Sequence, residues 1–490
     1  MKQKDFIFNI IFLLFINLLI KPFWILGIDR GVQNAVGAEN YGIYFVVLNF
    51  TILFNMLLDL GLTNFNNRNI AQNTQLLSKH ISGILSLKLL LGVIYILLVF
   101  IAGVIFGYRD FQIKILIWLA FNQFLNAMIL YLRSNISALL MFKTDGVLSV
   151  LDRLITIAIC SILLWGNVTC KPFQVMWFVY AQTAAYLISA TVAFMIVFFK
   201  AKTFTITWNF VFYRAILKKS LPFALLTMLM AIYGRIDPVI IHQLLSKDIA
   251  AYQAGIFASA FRLLEALVTV ALLFAAILLP LFSKMLKNKE DLAPIIKSAF
   301  SLLFFFSVTA TVLLIAYRVS IFSALYSKNV QLYPDFLVQS VQVFAILILC
   351  LIPWSMTYIF GTLLTANGSL RLLNLTSAIA IAVNLAINFT LIPMLEARGA
   401  AIASLSTQTS IAIMQFIIAF KLLKIPFSTI PWIRCLLYIG LFTGSTYLAT
   451  IYLPFNTLIN LFLCGGAALV WAFVTGLLPL KLIKNLFAHT

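Results

Sequence analysis

Residues 81–106 read ISGILSLKLLLGVIYILLVFIAGVIF, and Lys88 is the only charged residue in this stretch. An α-helix rises about 1.5 Å per residue, so about 20 apolar residues cross the hydrocarbon layer of a bilayer. The segment therefore predicts a membrane-spanning helix. Lys88 lies close enough to the predicted inner face for its side chain to extend into water, and no functional role is assigned to it.

The rest of the chain repeats this pattern. Hydrophobic residues make up 63% of the 490 residues and charged residues only 10%, whereas a soluble domain carries about 25% charged residues. We therefore predict an all-α polytopic membrane protein with about fourteen transmembrane helices, and not a soluble enzyme. The predicted spans cover approximately residues 6–28, 41–62, 81–106, 112–132, 147–165, 173–199, 220–243, 252–280, 299–317, 336–365, 372–392, 399–420, 433–453 and 457–480.

The formal net charge of +20 is compatible with either nucleic acid or a membrane surface, because both attract cations. Most of the Lys and Arg residues lie in short gaps between apolar segments, with no basic block and no nucleic-acid-binding motif. This placement argues against a nucleic-acid partner and makes the lipid bilayer the expected environment.

No cofactor or metal site is expected. The five cysteines are far apart without a CxxC pair, and the three histidines are too widely spaced to form a cluster. No GxxxxGK[ST] loop is found, so this chain is not expected to hydrolyse ATP.

The distribution of basic residues predicts the orientation. With the N-terminus inside, 22 Lys and Arg fall on the inner loops, their flanks and the tails, and seven fall on the outer loops. Because positive charge is retained on the cytoplasmic side, both termini are predicted to be cytoplasmic. The first apolar stretch is longer than a signal-peptide core, so we expect it to be retained as a helix.

Weak internal sequence repeats predict two six-helix lobes in a pseudo-twofold arrangement. The segment YGIYF at 41–45 is echoed by YQAGIF at 252–257, and KTDG at 143–146 by TANG at 365–368. Such repeats commonly place a substrate path at their interface. The predicted parts are an N-lobe (1–200), a cytoplasmic linker (201–219), a C-lobe (220–425) and two extra helices with a cytoplasmic tail (426–490).

Several motifs resemble one known family over nearly the whole chain. They are YGIY at 41–44, DLGL at 59–62 followed by RNIA at 68–71, and the stretch from ANG at 366–368 through Asn384, Asn388 and LIP at 391–393 to GAA at 399–401. The sequence is similar to the polysaccharide transporters, or O-antigen flippases, of the multidrug/oligosaccharidyl-lipid/polysaccharide exporter superfamily. The motifs themselves are typical of helix ends and helix packing. Gly61 and Gly368 suit chain turns, and small residues from Gly399 onward suit a close helix approach.

Four charged residues fall inside predicted spans seven and eight: Arg235, Asp237, Arg262 and Glu265. A charge at the centre of a bilayer costs about 2.5–3.5 kcal/mol on insertion scales, so such residues face a cavity or a partner. Arg235 and Arg262 are candidate ligands for a pyrophosphate group, which guanidinium binds in bidentate fashion. Asp237 and Glu265 are candidates for coupling to a proton or sodium ion. The alternative is structural ion pairing, since Arg262 and Glu265 are three residues apart on a helix.

The first predicted span supplies three further candidates. Lys21, followed by the helix-breaking Pro22, either binds substrate or extends outward to the membrane surface. Asp29 and Arg30 lie near the outer end of the span, where a charged loop residue costs little free energy because it can reach water. The family resemblance implies a role for them, Arg30 with substrate and Asp29 in ion coupling, because lipid II flippases carry essential charges in their first helix. His242 is expected to be a hydrogen-bonded interface residue rather than a protonation site.

The resemblance implies a flippase that carries undecaprenyl-pyrophosphate-linked oligosaccharide, such as an O-antigen, capsule or exopolysaccharide repeat unit, across the bacterial cytoplasmic membrane by alternating access. A polysaccharide polymerase and a chain-length regulator are candidate partners of a monomeric protein. The alternatives are an ion-coupled multidrug exporter or a lipid II flippase of the same fold, and a polyprenyl-dependent membrane glycosyltransferase or polymerase. Basic residues in the predicted core argue against cationic drugs as cargo, and short outer loops argue against the enzyme.

Overall fold

The described part of the chain is helical. The computed structural model describes residues 16–17, 19–63, 66, 70, 76–139, 141–166, 168, 171–201, 210–453 and 456–478, and these contain helices and no strand. The α-helices are α1 (Arg30–Leu53), α2 (Met56–Asp59), α3 (Leu76–Ile105), α4 (Asp110–Ala138), α5 (Phe142–Trp165), α6 (Val175–Ala201), α7 (Phe210–Arg235), α8 (Asp237–Leu244), α9 (Lys247–Asn288), α10 (Ala293–Ala316), α11 (Arg318–Leu325), α12 (Ser327–Leu332), α13 (Phe336–Leu349), α14 (Leu351–Ala366), α15 (Leu370–Leu395), α16 (Ala397–Leu422), α17 (Trp432–Tyr452) and α18 (Thr457–Val474). A π-helical turn, Trp24–Asp29, precedes α1, and a short 3-10 helix, Phe427–Thr429, precedes α17.

The all-α membrane fold is confirmed, but the count of fourteen spans is not. Within the described residues, twelve helical segments are long and apolar enough to cross a bilayer, and a thirteenth is added if the bent pair Ala224–Arg235 and Asp237–Leu244 is one span. One segment of this count, Leu19–Leu53, covers parts of the first two predicted spans. Within this segment the backbone of Gly37 is non-helical (φ 82°, ψ 161°), so two helices meet at a break inside the predicted loop. Residues 1–15 lie outside the described part.

The chain divides into two compact units, residues 1–258 and 259–490. In the first unit, α4 packs against α6, α3 and α1, and α5 packs against α6. In the second unit, α16 packs against α13, α14 and α15, while α10 packs against α14 and α17. The predicted lobe boundaries remain predictions. The described part of the predicted linker, from Phe210, is the start of α7, and its Tyr213 hydroxyl lies 2.7 Å from the Ser86 hydroxyl of α3.

Small residues set the closest helix contacts, as the motifs predict. A Cβ atom added at Gly399 would lie 2.5 Å from the backbone carbonyl oxygen of Leu391, so α15 and α16 approach backbone to backbone. Gly61 and Gly368 adopt positive φ values of 77° and 76° where helices end, a conformation that costs glycine nothing.

The two echoed glycine motifs pack against each other. A Cβ atom added at Gly42 of α1 would lie 1.9 Å from the carbonyl oxygen of Ala251 in α9, and one added at Gly255 would lie 2.0 Å from the carbonyl oxygen of Ala38. Each glycine therefore faces the backbone of the other helix. The crossing is reciprocal, which fits the echo between residues 41–45 and 252–257 seen in the sequence.

Candidate functional site

Asp29 is buried among polar side chains and does not lie at a water-exposed helix end. The interpretation of it as a loop residue whose charge costs little free energy is therefore wrong. Its residue exposure is 0%. The Tyr41 hydroxyl lies 2.8 Å from each Asp29 carboxylate oxygen, and the Gln33 amide donates to Oδ2 at 3.1 Å. Tyr41 can reach the carboxylate because the helical segment is broken at Gly37, between the two residues; in an unbroken helix they would lie about 18 Å apart along the axis. A carboxylate held in this way is chemically able to take up and release a proton or to attract a small cation.

The polar surroundings of Asp29 extend toward α6 through tyrosine rings. The centroids of the Tyr41 and Tyr44 rings are 5.4 Å apart. The amide of Gln182 in α6 donates to the Tyr44 hydroxyl at 3.0 Å. These contacts join the Asp29 segment to the interior of the first unit.

Arg30 follows Asp29 and begins α1. Its backbone N–H donates to the carbonyl oxygens of Ile25 and Gly27, which is how the π-helical turn closes. Its side chain is half-buried, and Nε is buried without a hydrogen bond to any residue that the structure describes. A π-helical turn inside a membrane helix is rare and is frequently found at functional sites.

Lys21 lies near two arginines of other helices. Arg153 of α5, Arg133 of α4 and Asp152 of α5 all lie close enough to act on its charge. Arg133 donates to Asp145 at 2.8 Å, and Arg153 pairs with Asp152. The first helix thus brings Lys21 into a cluster of positive and negative side chains from α4 and α5, which was not predicted from the sequence.

Arg235 and Asp237 flank a break in the predicted seventh span. Helix α7 ends at Arg235, α8 starts at Asp237, and the axes of the two segments differ by 50°. Pro238 lies in the first turn of α8. Proline has no N–H, its ring clashes with the preceding turn, and it disfavours the helical conformation of the residue before it. Arg235 is half-buried and Asp237 is 3% exposed.

Arg262 and Glu265 form an ion pair on α9. Nη1 of Arg262 lies 2.7 Å from Oε2 of Glu265, with side-chain exposures of 7% and 21%. The contact expected from their spacing is therefore present. This contact uses one of the five N–H donors of the guanidinium.

The sequence reasoning missed a second buried pair. Lys88 does not extend into water: its side chain is 1% exposed, and Nζ lies 2.6 Å from Oδ1 of Asp59 and 3.2 Å from the carbonyl oxygen of Leu58. The Tyr131 ring centroid is 5.6 Å from the same nitrogen. Asp59 also accepts a hydrogen bond from the backbone N–H of Thr63 at 3.2 Å. The signal available in the sequence was a lone lysine in one span and a lone aspartate at the end of the neighbouring span.

His242 is a hydrogen-bonded packing residue, as expected. Its Nε2 lies 2.9 Å from the amide nitrogen of Gln112, and its ring packs edge-on against Tyr108 with centroids 5.8 Å apart. In the described part of the chain, no three His, Cys, Asp or Glu side chains lie close enough to hold a metal ion.

The predicted site residues fall into three groups. The Asp29 segment and the bent pair α7–α8 both pack against α1 in the first unit. Arg262 and Glu265 belong to the second unit. Lys21 lies with the arginines of α4 and α5.

The fold is that of known transporters. The chain is similar to a structure described as the lipid II flippase MurJ in an inward closed conformation, with a TM-score of 0.70 and 15% identity, covering 92% of this chain and 96% of that one. It is also similar to an inward-facing multidrug resistance MATE family transporter of the MOP superfamily, with a TM-score of 0.65 and 15% identity over 84% and 98% of the two chains. A MOP superfamily transporter from Pyrococcus furiosus Vc1 gives a TM-score of 0.57 at 15% identity over 85% and 95%.

At these identities the structural likenesses show the fold alone. No curated protein matches the sequence. The family model described as "Polysaccharide biosynthesis protein" matches residues 8–286, more than half of the chain. The chain therefore belongs to the polysaccharide biosynthesis protein family.

Proposed function

We propose that this protein moves an undecaprenyl-pyrophosphate-linked oligosaccharide from the inner to the outer leaflet of the bacterial cytoplasmic membrane by alternating access. The observation that carries the proposal is a nearly buried arginine, Arg262, in a membrane helix of a chain that belongs to the polysaccharide biosynthesis family and has a transporter fold. Buried cations in membrane helices are costly and are commonly retained for function. A pyrophosphate head group is an anion that guanidinium binds well.

Arg262 and Arg235 are the proposed ligands of the pyrophosphate, with Lys21 and Arg30 adding positive charge in the first unit. Glu265 occupies one donor of Arg262 in the absence of cargo. An arriving pyrophosphate would compete with that carboxylate for the guanidinium. Arg235 lies beside the helix break, where a modest change in the bend would reorient its side chain.

Asp29, Asp237 and Glu265 are the proposed sites of ion coupling. Asp29 is the best supported, because a fully buried carboxylate is held by the Tyr41 hydroxyl and the Gln33 amide. Coupling need not be obligatory. Each negative charge that leaves a cell with a negative interior gains about 2.3 kcal/mol per 100 mV if it crosses the whole field.

The solved structures that this chain resembles suggest two alternative cargoes. A lipid II flippase would share the anionic pyrophosphate, whereas a multidrug exporter for cationic compounds would favour acidic side chains in its core. The paired arginine Arg262 favours an anion. We further propose that the protein acts as a monomer with both termini cytoplasmic, alongside a polysaccharide polymerase and a chain-length regulator.

The test is accumulation of lipid-linked repeat units on the inner face of cells depleted of the protein. Arg262→Gln should restore less than about a tenth of the wild-type flipping rate, because a lost hydrogen bond to a charged group is worth about 1.5–3 kcal/mol. Arg398→Gln, an exposed arginine in the same unit, is the matched control and should restore flipping fully.

Full activity of an Arg235→Gln, Arg262→Gln double variant would contradict the site assignment. Movement of lipid II, but not of lipid-linked oligosaccharide, by the purified protein in vesicles would contradict the proposed cargo.

A further inference from the structure

Lys21 is a cation without a carboxylate partner in the part of the chain that the structure describes. It makes no hydrogen bond or ion pair there. It is only partly exposed and lies in the helical segment Leu19–Leu53, which is apolar enough to span a membrane. An ammonium group in such a segment is normally paired or faces water.

The groups around Lys21 make its position less favourable still. Arg153 and Arg133 lie close enough to repel its charge, and Asp152 lies close enough to attract it. The two nearby carboxylates are already engaged, Asp145 with Arg133 and Asp152 with Arg153. Among these five groups, three carry a positive charge and two a negative charge.

The cluster is built on packed elements and not on loose side chains. The Asn17 amide donates to the Ser149 hydroxyl of α5 at 2.8 Å, which fixes the first helix against α5. The guanidinium carbon of Arg153 lies 5.0 Å from the centroid of the Trp24 ring, and Nη1 donates to the Tyr186 hydroxyl at 3.3 Å. Such contacts hold the guanidinium in one orientation.

Donors remain available for a ligand. Arg133 uses Nε for Asp145, and its two terminal nitrogens make no hydrogen bond to any described residue. Together with the Lys21 ammonium group they offer several N–H donors on neighbouring helices. Arginine and lysine donors in this combination match the tetrahedral oxygens of a phosphate group.

We infer that Lys21, Arg133 and Arg153 form a binding site for a lipid-attached phosphate or pyrophosphate group. The end of α4 and the start of α5 lie on the predicted cytoplasmic side, where such groups are abundant in the membrane. Two sources share this chemistry: the pyrophosphate of a carrier lipid, which rests on the proposed function, and the head group of an anionic phospholipid, which does not.

The test uses the full-length protein in phosphatidylcholine nanodiscs, with farnesyl pyrophosphate as the probe and microscale thermophoresis as the measurement. Lys21→Gln should weaken binding at least about ten-fold, the effect of losing one hydrogen bond to a charged group. Lys21→Arg should bind within about three-fold of wild type. Lys143→Gln removes an exposed lysine of α5 and should leave the affinity unchanged.

A stability measurement distinguishes a ligand site from a structural role. Since Lys21 has no partner to lose and two arginines to repel it, Lys21→Gln should melt at or above the wild-type temperature in phosphatidylcholine alone. Wild-type affinity of Lys21→Gln for the probe, or a lower melting temperature of this variant without phosphate, would overturn the inference.

Replacing a third of the lipid with phosphatidylglycerol identifies the source. Competition with farnesyl pyrophosphate in the wild type but not in Lys21→Gln would assign the site to phospholipid. Lack of competition would assign it to the carrier. Both results support a phosphate site and leave the oligosaccharide flipping assay as the separate test of the proposed function.

Discussion

Replacing Gly42 with alanine tests the helix crossing between α1 and α9. The added Cβ would lie 1.9 Å from the carbonyl oxygen of Ala251 and 2.7 Å from the backbone nitrogen of Gly255. Carbon and oxygen atoms are in comfortable contact at roughly 3.2 Å or more, so the two backbones must separate locally by about 1 Å. Neither neighbour is the end of a flexible side chain, so the strain cannot be relieved by a rotamer change.

The expected cost follows from two opposing effects. Overpacking of a tight contact costs about 1–3 kcal/mol and occasionally more, whereas alanine in place of glycine favours a helix by about 1 kcal/mol. The matched control is Gly440→Ala in α17, where an added Cβ meets nothing within 4 Å. Gly42→Ala should therefore be less stable than Gly440→Ala by about 1–3 kcal/mol, or more if the helices resist separation.

The assay is thermal unfolding of the purified variants in one lipid composition, followed by intrinsic fluorescence. Gly255→Ala should behave like Gly42→Ala, because its Cβ would lie 2.0 Å from the carbonyl oxygen of Ala38. The double variant should lose less than the sum of the single losses, since one separation of the helices relieves both clashes. Equal melting temperatures for Gly42→Ala and Gly440→Ala would refute the reasoning.

Three other variants address the remaining features. Asp59→Asn leaves Lys88 buried without its carboxylate, so the free energy of unfolding should fall by about 3–5 kcal/mol; adding Lys88→Met should recover much of this loss in the same melting assay. Pro238→Ala restores a backbone donor and should reduce the 50° bend, which spin labels on α7 and α8 would report as a longer distance between the far ends of the two segments. Tyr41→Phe removes the hydroxyl donor to Asp29 and should cost about 1.5–3 kcal/mol of stability; an unchanged melting temperature would mean that this hydrogen bond is not needed.

Features set by local sequence were predictable. The apolar segments gave the all-α membrane fold, because the length of an apolar run directly reflects the thickness of the bilayer. The spacing of Arg262 and Glu265 gave their ion pair, because residues three apart lie on one helix face. The small residues at Gly399 gave a close helix approach for the same local reason.

Features set by tertiary contacts were not predictable. Asp59 and Lys88 are 29 residues apart and meet only when α2 packs against α3. Asp29 was placed near the outer end of the first span, and its burial depends on Tyr41, which lies beyond the break at Gly37. The two arginines beside Lys21 come from α4 and α5, which no periodicity within the first helix could indicate.

The π-helical turn Trp24–Asp29 has a consequence for how the first helix presents its charges. Closing hydrogen bonds five residues back instead of four inserts extra backbone per turn, so everything beyond the turn is rotated relative to an uninterrupted α-helix. Lys21 comes before this turn and Asp29 is its last residue, and the two side chains contact different parts of the first unit. Deleting one residue between Lys21 and Asp29 would restore regular α-helical hydrogen bonding. It would rotate one of these two side chains away from its present contacts, although both residues would still be in the sequence.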